Sequence, residues 1–298
     1  MERYEFVTSR RQVLGTLAGA MLGYAVPTCA ARLGPIRFGT TAVFLDEEVS
    51  FLDKWGEYLQ RRVGRPVVFV QRRSYREISN LLLKDQVDFA WICGTPYCVL
   101  RPRVRLAAVP SFNGQPRYQS YVIVPRSDTR TRSLMDLRGG VYAFSDPDSN
   151  SGWLVPNVEL ARAGLDSATF FRKSFFTWAH RMVVEAVSTG LAQGGSVDGY
   201  VWETMAKQRP ALTATTRVAW KFPFYGFPPI VTRSNLSEED AEPLRGVLLS
   251  MRRDPEGQEL LKHLNLDGFV DSPPSLFDPI ARNAAFMGRL GTAPEHIA

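Results

Sequence analysis

From about residue 36 onward, short apolar runs alternate with longer amphipathic stretches, the pattern of parallel strands joined by crossover helices. Residues 36–39 read as a first strand. The helix that follows carries Val49, Leu52, Trp55 and Leu59 on one face. Asp46, Glu47 and Glu48 at its start and Arg61 and Arg62 near its end both complement the helix dipole, and Gly64 supplies the stop. A second strand over 66–70, a helix over 75–84 with Ile78 and Leu82 facing inward, and a third strand over 87–92 complete the unit. Gly94, Thr95 and Pro96 then break the strand and open a short helix, and 106–109 is another buried run.

A second set begins near Tyr118, with strands at 121–124 and 141–144, a helix from about Gly152, a strand near 170–176 and a helix over 179–189. Strands at 197–201 and 217–220 complete it. After Ile230 and Val231 the chain turns helical: Ser237 followed by Glu238, Glu239 and Asp240 is an N-terminal signal, Leu244, Leu248 and Met251 supply the apolar stripe, and a helical tail is expected. At 298 residues the chain sits near the size at which one core divides into two. The carboxy-terminal part shows no sheet of its own, so it is expected to return to the first lobe. That gives a discontinuous lobe 1 over 36–118 and 220–298 and a lobe 2 over 119–219, with the ligand crevice beyond the carboxyl ends of the strands.

Before this pattern begins, Ser9, Arg10, Arg11, Gln12, Val13, Leu14 and Gly15 open a stretch without charge until Arg32, which reads as a twin-arginine signal over 1–31 and places the mature chain in the periplasm. Gly15, Thr16, Gly19, Gly23 and Thr28 dilute its apolar character below that of a membrane span, although a retained N-terminal tether stays open. Cys29 offers a lipidation site behind a poor lipobox of Val26, Pro27 and Thr28. Without the signal, Cys93 and Cys98 remain, and their spacing fits a disulfide, a soft-ligand site or two unrelated small hydrophobes. The net charge of +6 suits an anionic ligand or simply a basic surface. No basic run with interleaved aromatics and no helix-turn-helix pattern supports nucleic-acid binding.

The richest stretch for chemistry runs from Phe144 through Ser145, Asp146, Pro147, Asp148, Ser149, Asn150, Ser151 and Gly152 to Pro156. Small hydroxyl and amide residues at a strand end and helix start aim free backbone N–H groups, side-chain donors and the positive dipole end at one point, as an oxyanion site requires. The same residues also fit an Asx turn and a helix cap with no ligand.

This run resembles the Asp-Pro-x-Ser-x-Ser-Gly-x-Leu-x-Pro segment of the periplasmic phosphate-, phosphite- and phosphonate-binding proteins of ABC transporters. Val87, Asp88, Phe89, Ala90 and Trp91 resemble that family's strand before the cleft, and His180 falls at its pocket histidine. The resemblance covers about residues 36 to 270. It implies a type II periplasmic-binding fold of two α/β lobes joined by two crossover strands. Ser149 and Asn150 then match the family's Ser-Thr pair on the phosphonate oxygens, Ser151 follows them, Tyr75 and Tyr118 match two pocket tyrosines, and Thr95 stands at the break beside Cys93.

Two departures qualify the ligand. The carboxylates that hold an ammonium group in aminophosphonate binders are at least half missing: Glu203 lies near one position out of register, and the other falls among Phe227 and Pro228. 2-Aminoethylphosphonate is therefore not the expected ligand. Cys93, where the strand meets the cleft, suits a soft centre better than phosphate, and the family includes arsenite-binding sensory proteins that act with a membrane histidine kinase.

An enzyme is not expected. His180, His263 and His296 lie in no zinc-ligand spacing, and there is no nucleophile elbow, P-loop or dinucleotide fingerprint. The expectation is an exported binding protein, monomeric when mature and without cofactor or metal. It would hold a small phosphorus oxyanion for an ABC permease; the alternative is an arsenite sensor that uses Cys93 and signals to a kinase ectodomain.

Overall fold

The computed structural model describes residues 34–41 and 49–289. The signal region, and Asp46, Glu47 and Glu48 assigned to the start of the first helix, lie outside them. Eleven strands occur among the described residues: β1 (Ile36–Thr41), β2 (Val67–Arg72), β3 (Phe89–Trp91), β4 (Val104–Ser111), β5 (Arg117–Pro125), β6 (Val141–Phe144), β7 (Lys173–Phe176), β8 (Gly194–Asp198), β9 (Thr216–Gly226), β10 (Ile230–Arg233) and β11 (Gly268–Val270). The helices are α1 (Val49–Val63), α2 (Tyr75–Leu83), α3 (Gly94–Leu100), α4 (Val155–Arg162), α5 (Ser167–Phe170), α6 (His180–Ser188), α7 (Gly199–Gln208), α8 (Pro210–Thr213), α9 (Glu238–Ser250), α10 (Pro255–His263) and α11 (Asp278–Arg289).

The strands form two mixed sheets, ordered β11-β4-β10-β3-β1-β2 and β7-β6-β8-β5-β9. In the first, β1 pairs in parallel with β2 and β3, while β10 runs antiparallel between β3 and β4. In the second, β6 pairs in parallel with β7 and β8, and β5 runs antiparallel to both β8 and β9. The chain passes from the first sheet to the second between β4 and β5 and returns between β9 and β10. The two passages touch where Phe227 N–H donates to the Pro116 carbonyl at 3.0 Å.

Local signals explain most helix starts. Ser74 accepts the Glu77 N–H at 3.2 Å while the Glu77 carboxylate accepts the Ser74 N–H at 3.0 Å, a reciprocal cap for α2. Ser237 accepts the Asp240 N–H at 3.1 Å, and three acids fill the first turn of α9.

Three expectations need correction. The strand foreseen over 197–201 is Gly194–Asp198, because Asp198 accepts the Tyr200 N–H at 2.9 Å and starts α7 at Gly199. The strand foreseen over 170–176 is only Lys173–Phe176, because Asp166 accepts the Ala168 N–H at 2.8 Å and winds the preceding residues into α5. The tail is not wholly helical. Gly268–Val270 adds as β11 to the edge of the first sheet, antiparallel to β4, and three residues are too few for an alternation to show in sequence.

The first core is aromatic. Trp55 of α1 lies 5.7 Å from Phe38, 5.2 Å from Phe69 and 6.2 Å from Trp91, so one helix fastens to three strands. In the second core Tyr142 stacks on Phe171 at 4.3 Å and meets Phe144 edge-on at 5.0 Å.

Asp88 ties the two parts of the first sheet together. Its carboxylate accepts the Arg37 N–H at 2.9 Å and the Arg37 guanidinium at 3.0 and 3.2 Å, and it accepts Arg233 of the returning strand at 3.2 and 3.3 Å. Burial pushes this carboxyl up, but the Arg37 side chain and N–H and then Arg233 outweigh it and hold it below the ordinary value. The stability it contributes is therefore present above about pH 4 and is lost as pH falls through the lowered native value. Asp88→Asn is expected to lower unfolding stability in urea by about 1–3 kcal/mol at pH 7, with the gap to the wild type closing in acid. An equal gap at pH 7 and below pH 3 would contradict this account.

Candidate functional site

The loop after β6 folds on its own polar groups. Asp146 Oδ1 accepts the Asp148 N–H at 2.7 Å, Ser149 N–H donates to the Asp146 carbonyl at 3.0 Å, and Ser149 Oγ accepts the Gly152 N–H at 2.9 Å. The first turn of the helix is wide. Leu154 N–H reaches five residues back to the Ser149 carbonyl at 2.9 Å, making a π turn over Asn150–Leu154 that runs on into α4. The capping role foreseen for these residues is thus real, and it leaves other groups free.

Gly152 is required here. A Cβ on it would stand 1.8 Å from Ser145 Oγ and 2.7 Å from Ser145 Cβ, so any side chain would push the helix start off the strand end.

Groups from other elements close on this turn. The Tyr75 N–H donates to Asp146 Oδ2 at 3.3 Å, and Arg76 grips both oxygens of Asp148 at 2.7 to 3.2 Å. Cys93 Sγ, just ahead of α3, accepts the Asn150 N–H at 3.3 Å. Tyr118 of β5 accepts a hydrogen bond from Asn150 Nδ2 at 3.0 Å, and Ser120 donates to the Ser151 carbonyl at 2.7 Å. His180 heads α6, and its Nδ1 accepts the Asp198 N–H at 3.1 Å, which leaves its proton on Nε2 when neutral.

Tyr75, Cys93, Thr95, Tyr118, Ser149, Asn150, Ser151 and His180 are all buried, so the cleft between the lobes is closed. Thr95 Oγ1, Ser145 Oγ, Asn150 Oδ1 and Ser151 Oγ are buried yet make no hydrogen bond of good geometry among the described residues, Ser151 Oγ lying beside the Tyr118 hydroxyl. Such a concentration of unsatisfied polar atoms marks a place that a polar ligand completes.

The surroundings are acidic and dry. Burial raises the Asp146 carboxyl to about 6 and the Asp198 carboxyl to about 8, and it lowers the His180 imidazole to about 3. Burial likewise pushes the Cys93 thiol up to about 12, against the opposing pull of the Asn150 and Thr95 N–H groups, and raises both Tyr75 and Tyr118. No group of three metal-ligating side chains occurs among the described residues.

Eight of the nine candidate residues are therefore gathered, with His180 joined to the rest through Asp198. Glu203 is not gathered. It accepts the Tyr121 hydroxyl and lies 3.9 Å from Lys221, which draws its carboxylate toward β5 and β9. The buried carboxylate beside the site is instead Asp198, which caps α7 by accepting the Tyr200 N–H at 2.9 Å. Its signal in sequence was an aspartate at the end of an apolar strand followed by Gly199, which reads as an ordinary cap. Ser145 was likewise hidden, because its role depends on the approach of Gly152. Phe227 packs against Tyr118 and Tyr200 at 5.7 and 4.9 Å, an aromatic wall where an ammonium clamp would need a carboxylate. Cys93 and Cys98 are both free thiols, and Cys98 donates to the Phe277 carbonyl at 3.5 Å.

Two sheets of this order, a closed cleft and a donor-rich helix start define a type II periplasmic-binding protein. The family described as the periplasmic substrate-binding protein of phosphonate ABC transporters matches residues 38–277, and the chain belongs to that family. It is 25% identical over 248 residues to the phosphonates-binding periplasmic protein of Escherichia coli (strain K12), covering 80% of this chain and 73% of that one. It is 25% identical over 175 residues to a phosphate-import protein of Mycolicibacterium smegmatis, spanning about half of each chain, 55% and 54%. In structure it is similar to the binding-protein component of an ABC phosphonate transporter from Pseudomonas aeruginosa, with a TM-score of 0.79, 23% identity and coverage of 88% and 90%. It is also similar to a Prochlorococcus marinus protein solved with methylphosphonate, with a TM-score of 0.74, 19% identity and coverage of 87% and 98%.

Two outcomes follow from this geometry. Gly152→Ala is expected to lower stability by about 1–3 kcal/mol through overpacking against Ser145 and to abolish anion binding, read by urea unfolding and calorimetry; a variant that binds normally would refute the close approach. His180 has a native value of about 3 against about 6.5 when unfolded, so between these limits the unfolded chain takes up a proton that the native one refuses. Stability conferred by the neutral ring is present above about 6.5 and falls as pH drops, by up to about 1.4 kcal/mol per pH unit. His180→Asn, whose carbonyl can take the Asp198 N–H, is expected to show a shallower acid limb in unfolding curves from pH 3 to 6.5, and an unchanged slope would contradict it.

Proposed function

We propose that this chain captures a small phosphorus oxyanion, of the phosphate, phosphite or phosphonate type, in the closed cleft and presents it to an ABC permease. The observation that carries this reading is the set of buried, unpartnered polar atoms on Thr95 of α3 and on Asn150 and Ser151, the last two at a helix start whose dipole favours an anion. The relatives named above are binding proteins for phosphonates or phosphate, and family membership supports a transport role in the periplasm. The twin-arginine pattern of the N-terminus supports export by that route. The lobe boundaries expected near 118 and 220 lie close to the start of β5 and within β9, whose residues up to Gly226 pair with β5 in the second sheet. The role is one of binding: the site offers buried hydrogen-bonding groups, and its histidine, held neutral, is engaged at Nδ1 by a backbone N–H.

Cys93 reads as a closure contact. Its buried thiol resists ionisation and already accepts the Asn150 N–H, so the arsenite alternative gains nothing from its surroundings.

Calorimetry and thermal shift of the mature protein with phosphate, phosphite and methylphosphonate are expected to show binding and a rise in melting temperature. Ser151→Ala is expected to weaken binding by about 1.5–3 kcal/mol, the range of a hydrogen bond to a charged group. Cys93→Ser should leave phosphorus-ligand binding in place. Stabilisation by arsenite alone, lost in Cys93→Ser, would replace this proposal with the sensor reading.

A further inference from the structure

Oxyanion sites are usually discussed by their donors, yet this one also contains a buried acceptor with nothing to accept. Asn150 is fully buried. Its Nδ2 is engaged by Tyr118 and its N–H by Cys93, while Oδ1 has no partner among the described residues. A carboxamide oxygen left unpaired when buried is unfavourable, and it repels a fully ionised oxyanion that brings only oxygen lone pairs. We infer that Asn150 selects the singly protonated monoanion of the ligand, with Asn150 Oδ1 accepting a hydrogen bond from the ligand's own hydroxyl. This deepens the proposal above and rests on it.

The charges around the cleft point the same way. Facing it are Tyr75 from α2, Cys93 ahead of α3, Tyr118 from β5, Asp146 after β6, His180 from α6 and Asp198 ahead of α7. Among the described residues the cation that bears on these groups is Arg76, and Asp148 holds it with both oxygens at the rim. Among the described residues no free guanidinium or ammonium therefore meets a second negative charge, and burying a dianion without a cation is costlier than burying a monoanion. Asn150 stands where the resemblance places a threonine, whose hydroxyl can turn to donate. The carboxamide as placed offers its oxygen.

Affinity measured by calorimetry from pH 5 to 9 separates the possibilities. Phosphite and methylphosphonate serve as probes because the second ionisation of phosphite lies lower. If only the monoanion binds, apparent affinity falls roughly tenfold per pH unit above each probe's own second ionisation, with the two breaks displaced from each other as the two ionisations are. Asn150→Thr, which replaces the acceptor with a rotatable hydroxyl, is expected to flatten both profiles. Breaks at one common pH for both probes would assign the effect to Asp146 or Asp198 and overturn the inference. Affinity that is flat or rises with pH would overturn it as well while leaving oxyanion capture intact. No binding of either probe at any pH would overturn the capture proposal itself.

Discussion

Backbone N–H groups at the start of a buried helix must find partners, because a donor removed from water and left unpaired is costly. In this protein the turn that begins at Asn150 meets that requirement from two directions. Ser149 takes the Gly152 N–H from within the turn and Cys93 takes the Asn150 N–H from across the cleft, while the side-chain atoms Asn150 Oδ1 and Ser151 Oγ are left buried and unsatisfied among the described residues. The helix start is therefore completed partly by its own lobe and partly by the other one. Closure of the cleft and completion of the site are the same event, and a ligand that supplies the missing partners stabilises the closed arrangement.

The rest of the fold holds that turn in place. Gly152 lets the helix start press against Ser145 at the end of β6, and the pair fixes where the hydroxyls and the carboxamide lie. On the opposing side, the aromatic packing of Trp55 against β1, β2 and β3 and the Asp88 clamp between β1, β3 and β10 keep the first sheet rigid, so that Tyr75 and Cys93 reach the turn from fixed positions. Rigid elements bearing a few convergent polar groups are what a small-ligand site needs.

Charge gives the site its character. In the proposed role it would meet an anion with hydrogen bonds rather than with a cation, which is workable in a buried cleft where donors are preorganised. The same burial makes each unsatisfied acceptor and each nearby carboxyl a constraint on what could enter. In the proposed role Asp146, Asp198 and Asn150 would bear on selectivity as much as Thr95 and Ser151 on affinity.

The sequence by itself determined the alternating α/β order, the two-lobed architecture and the residues of the turn from Ser145 to Gly152, because strand and helix periodicity and capping chemistry are local properties written in nearest neighbours. It also carried Tyr75, Tyr118 and His180 through a family resemblance, and Cys93 as a departure from that family's pattern. Tertiary structure alone decided that Glu203 turns to Tyr121 and Lys221 while Asp198 sits by the cleft, that Ser145 serves Gly152, and that Asn150 Oδ1 ends without a partner. Each of these depends on which distant strand or helix comes within about 3 Å of a given atom. That distance is set by the packing of both lobes together, and no window of the sequence contains it.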